Sequence, residues 1–125
     1  MVPDMHTVAQ LHTFNRAAAE AGLSEQEIEL IVNILADNPK AGVEMPGTGG
    51  CRKLRIAGRG KGKSGGYRTI TFYSGERMPV FLITVFSKGE RANLTKAECN
   101  QLKEMTKAIV QEYRLKIATL AKKGA

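Results

Sequence analysis

Apolar and polar positions change period several times along the chain, and each change marks an element. Residues 6–11 alternate weakly, as a short edge strand does. Thr13 stands where a helix N-cap would, followed by Phe14, Ala17, Ala18 and Ala21 on one stripe and by Gly22 as a stop. Ser24 and Glu27 have the spacing of a capping box. Ile28, Ile31, Val32 and Leu35 then recur at helical spacing until Asn38 and Pro39 end the element. Residues 40–50, with Pro46 and four glycines, predict a loop.

Strand period takes over after the loop. Residues 52–56 and 67–73 alternate, and 78–86 is mostly apolar, the pattern of a central strand entered from a turn at Ser74, Gly75, Glu76 and Arg77. Thr95 and Glu98 form a second capping-box pair. Behind them Cys99, Leu102, Met105, Ile109, Val110, Tyr113, Ile117 and Leu120 share one face of a long helix. The predicted order is β-α-α-β-β-β-α, an α+β layout with an antiparallel sheet, two N-terminal helices and a long C-terminal one. A chain of 125 residues suits one domain. It is placed at 6–118, with frayed tails at 1–5 and 119–125.

Charge changes this picture from a fold to a surface. The net charge is +7. Residues 1–50 carry seven acidic and two basic side chains, whereas 52–91 carry ten Lys or Arg against two acids. The centre of that basic stretch is a glycine-punctuated loop holding Arg59, Lys61 and Lys63. Alternation places Lys53 and Arg55 on one face of their strand, Leu54 and Ile56 on the other, and Arg68 at the start of the next strand. So local a concentration of cations on a sheet suits a polyanion.

Several chemistries are disfavoured. Ala57 to Ser64 imitates a phosphate-binding P-loop, but the β-branched and aromatic stretch after it reads as strand, and the motif needs a helix N-terminus. His6 and His12 lie in the acidic part, no paired carboxylates or Ser-His-Asp set stands out, and no metal ligand set or cofactor motif is visible. Cys51 and Cys99 read as free thiols in a reducing compartment. With no signal-like or membrane-length apolar run, a soluble cytoplasmic protein is expected.

Lysine and arginine suffice to break RNA, because the ribose 2′-hydroxyl is an internal nucleophile and the protein need only position it and neutralise charge at phosphorus. Lysine, whose proton affinity yields to crowding by cations, suits proton transfer; arginine, always charged, suits transition-state stabilisation.

Three segments together resemble the RelE/ParE toxin superfamily, most closely its HigB-type branch: residues 49–55 (GGCRKLR), 60–68 (GKGKSGGYR) and 81–88 (FLITVFSK). The resemblance covers residues 6–107 and implies the RelE-like fold. It also implies a bacterial type II toxin that enters the ribosomal A site, cleaves mRNA without a metal or cofactor, and is held inactive by a cognate HigA-like or RelB-like antitoxin. By position it assigns catalysis to Lys53, Arg55, Arg68 and Lys88, and RNA or ribosome contacts to Arg52, Arg59, Lys61, Lys63, Tyr67, Tyr73 and Arg91. The catalytic tyrosine of RelE enzymes corresponds here to about Leu94, and alternation puts Tyr67 and Tyr73 on the face opposite Arg68. Two other functions fit the same fold class: a ParE-like protein that poisons DNA gyrase by contact, and a nucleic-acid-binding domain without chemistry.

Overall fold

The computed structural model describes residues 6–57, 66–75, 78–87 and 93–124. It opens with a three-residue strand, β1 (Val8–Gln10), and then α1 (His12–Ala21). Leu11, not Thr13, is the N-cap of α1, and it supplies no side-chain cap. The Thr13 hydroxyl instead donates to the Ile83 carbonyl at 2.5 Å, tying the helix to a strand seventy residues away. Gly22 ends α1 in the left-handed region at φ +79°, where it frees the chain to turn.

The second helix, α2 (Glu25–Asp37), begins as its sequence predicts. Ser24 Oγ accepts from the Glu27 amide at 3.1 Å, and Glu27 returns the bond to the Ser24 amide at 2.9 Å. The loop expected over 40–50 contains a two-residue strand, β2 (Val43–Glu44), paired antiparallel with β3 (Cys51–Ile56). Local pattern is silent about so short a strand because its partner lies beyond the loop. Gly42 makes the approach possible. At φ +99° it lies where a Cβ would come within 2.7 Å of the Lys53 carbonyl oxygen.

The strands β3, β4 (Tyr67–Phe72) and β5 (Val80–Ser87) form the predicted antiparallel meander. The sheet order is β1-β5-β4-β3-β2, and β1 joins β5 in parallel. The two faces are covered differently. Phe14, Ala18, Ile31 and Leu35 from α1 and α2 pack with Ile56, Tyr67, Val80, Leu82 and Val85. On the opposite face Cys51, Ile70, Phe72, Phe81, Ile83 and Phe86 meet Leu102 of α3 (Lys96–Gly124).

That last helix starts on its capping box, with the Thr95 amide donating to Glu98 at 2.8 Å and the Glu98 amide to Thr95 Oγ1 at 3.1 Å. It runs past residue 118, the expected end of the domain, to Gly124. Its apolar face packs through Met105, Ile109, Val110 and Tyr113, whereas Ile117 and Leu120, expected on the same face, are 50 % and 65 % exposed among the described residues. The helix has outrun the sheet.

Candidate functional site

Strand register decides which cations meet. Cys51, Ile70 and Phe72 pack under α3, whereas Leu54, Ile56 and Tyr67 pack with α1 and α2. Alternation therefore carries Lys53 and Arg55 to the α3 side of β3, and Arg68 to the same side of β4. Within that row Lys53 pairs with Ile70, and Arg55 stands directly opposite Arg68. Phe86 flanks Arg68 on β5. Arg55 is exposed, Lys53 is half-buried and Arg68 is only 5 % exposed.

Two like charges at opposed strand positions cost up to about 1 kcal/mol relative to neutral pairs. Arg68 also has an interaction of its own, so the pair is not a bare repulsion. Lys53, Arg55 and Arg68 thus share one face through ordinary sheet register.

The remaining assigned residues fall elsewhere. Arg52 points away from Lys53, forms an ion pair with Glu44 at 3.6 Å and donates to the Gly42 carbonyl at 3.3 Å, so it fastens β2 to β3. Tyr67 is 5 % exposed in the core beneath α1 and α2, where burial first and the Glu27 carboxylate second raise its phenol above the ordinary value. Tyr73 packs against the same core, its ring 5.7 Å from that of His6 in an edge-on arrangement. Neither tyrosine shares the face of Lys53, Arg55 and Arg68, in keeping with their alternation. Lys88, Arg59, Lys61, Lys63 and Arg91 lie outside the described residues. Leu94, near where the resemblance puts the family's tyrosine, packs as an apolar residue against the α3-side core.

Cys51 is fully buried, and loss of solvent raises its thiol from 9.0 to about 11, against the opposing hydrogen bond from Thr48. It is therefore a core residue and a poor nucleophile. Among the described residues no three His, Cys, Asp or Glu side chains come together as a metal site, and no helix is long and apolar enough to cross a membrane. Sequence reasoning passed over one set of cations on this side of the molecule. Lys96, Lys103, Lys107 and Arg114 are all exposed on α3, and their helical spacing was the available signal.

An α+β protein with a cationic sheet face, one helix across that face and two behind it, is the class that fold and site define. The family model for the RelE toxin of the RelE/RelB toxin–antitoxin system matches residues 7–125. The chain belongs to the RelE toxin family, and with that family comes an antitoxin partner.

Proposed function

We propose that this toxin is a metal-independent endoribonuclease that acts on the translating ribosome in the cytoplasm, cutting mRNA in the A site and so stopping translation. The observation that carries the reading is the alignment of Lys53, Arg55 and Arg68 on one sheet face, with Arg55 and Arg68 at opposed positions. In the cut, the ribose 2′-oxygen bonds to phosphorus as the 5′-oxygen leaves along the opposite direction, giving a cyclic phosphate and a free 5′-hydroxyl. Arg55 and Arg68 offset the charge that grows on the phosphoryl oxygens. Lys53 or Lys88 takes the 2′ proton and returns one to the leaving oxygen. Arg59, Lys61, Lys63 and Arg91 hold ribosomal RNA, and a HigA-like or RelB-like antitoxin covers or displaces this surface.

Toeprinting on translating ribosomes tests the reading, with wild type compared against Arg68→Ala and Arg55→Ala. Because Arg68 is buried, the exposed Arg55 supplies the variant whose fold is safe. New A-site cuts from wild type, reduced roughly 100-fold or more in either variant, are expected. Absence of cuts from the folded wild type rejects the nuclease, and full activity in folded Arg55→Ala rejects the site.

A further inference from the structure

Four cations on α3, Lys96, Lys103, Lys107 and Arg114, follow one another at intervals of seven, four and seven residues. At about 100° per residue such positions fall within roughly 40° of one another around the helix, and at 1.5 Å per residue they span about 27 Å. All four are exposed. The three acids of the helix, Glu98, Glu104 and Glu112, lie off this line. Glu104 reaches it through a 3.4 Å contact with Lys107 in which both partners are largely exposed. Such a pair is weak and readily exchanged for a stronger anion.

The line is anchored at the entry to β3. Gly49, two residues before β3, adopts φ +77°, and a Cβ there would strike the Thr106 hydroxyl and come within 3.3 Å of Lys103 Cα. Backbone thereby lies directly against helix, and an open groove of about 330 Å³ is left along the line, bordered by Gly49, Phe72, Lys103, Thr106, Lys107 and Arg114. The helix covers the same sheet face that carries Lys53, Arg55 and Arg68. Sheet cations and helix cations therefore lie on the same side of the sheet.

We propose that Lys96, Lys103, Lys107 and Arg114 form a rail that grips the phosphate backbone of folded ribosomal RNA, orienting the toxin while Lys53, Arg55 and Arg68 meet the scissile strand. The proposal rests on the nuclease reading for its setting, but its chemistry is independent of cleavage. Three of the four groups are lysines, point charges that hold phosphates without reading bases, and a straight row along one side of a helix suits an extended phosphate backbone.

The probe is a fluorescently labelled RNA hairpin of mixed sequence, bound by full-length protein over about 50 to 200 mM salt. Lys103→Gln/Lys107→Gln/Arg114→Gln is expected to weaken binding at least about tenfold and to flatten the log–log salt dependence by roughly 2 to 3. The charge-keeping Lys103→Arg/Lys107→Arg/Arg114→Lys should bind as wild type does. The rail is overturned if wild type does not bind the hairpin, or if the neutral variant, folded by thermal melting, keeps wild-type affinity and slope. Equal loss in the charge-keeping variant also overturns it. So does a neutral variant that keeps RNA but releases an acidic antitoxin segment, which would make the surface a protein interface. Toeprinting on the same proteins separates the two readings: lost hairpin binding in the neutral variant upholds the rail even where wild type makes no cut.

Discussion

On the proposed reading, activity and stability part company at Arg55. It is exposed, it faces Arg68 across β3 and β4, and nothing in strand propensity calls for a second guanidinium there. Arg55→Thr, which places a β-branched residue at this exposed position, should leave stability in urea denaturation within about 0.5 kcal/mol of wild type while abolishing A-site cleavage. A markedly less stable or fully active variant would count against that separation. Cys51 makes a second residue-level prediction through the pH dependence of folding. Its folded thiol is raised from 9.0 to about 11, so the native state holds its proton more tightly than the unfolded chain. The stabilisation is complete below pH 9.0 and is lost as pH climbs through about 11. Burial raises Tyr67 too, and in the same direction. Melting temperature should fall across that alkaline range, less steeply in Cys51→Ala than in wild type once their neutral-pH values are aligned. At this scale the face of Lys53 and Arg55 was legible because alternation depends only on neighbours in sequence. The attachment of Arg52 to Glu44 was not, because its partner sits in a segment with no strand signal of its own.

The elements divide between those set by local chemistry and those set by contact. The Ser24 and Thr95 capping boxes are visible as spacings and are present as hydrogen bonds. Ser24→Ala should cost about 1 kcal/mol in chemical denaturation, and an unchanged midpoint would show that α2 is held by packing alone. Thr13 has the same residue type that caps helices, yet its hydroxyl is taken by the Ile83 carbonyl, so a tertiary hydrogen bond displaces the local one. The β2–β3 pairing depends on a glycine. Gly42→Ala forces a side chain into the left-handed region and against the Lys53 carbonyl, a cost of roughly 2 kcal/mol or more. Because that carbonyl belongs to a candidate catalytic residue, cleavage should fall together with melting temperature; a variant as stable as wild type would contradict the close approach.

Across the whole molecule the acidic first fifty residues and the basic remainder give the chain an oriented field. The antitoxin is expected to meet the basic face with an acidic or mixed-charge segment, so its affinity should fall between about 50 and 500 mM salt, mainly through slower association. Salt-insensitive binding would point instead to the apolar end of α3, where Leu115, Ile117 and Leu120 are at least half exposed. The sequence by itself determined the types and order of the main elements, the meander and the sign of the charge, because caps, periods and composition act over a few residues. Tertiary structure alone decided that β1 joins β5 in parallel, that Val43 and Glu44 extend the sheet, and that Arg55 stands opposite Arg68. It also decided that, among the described residues, the core contacts of α3 run as far as Tyr113 while Leu115, Ile117 and Leu120 are at least half exposed. Each of these depends on partners far apart in the chain, and a strand's register or a helix's reach is settled only by the surface that meets it.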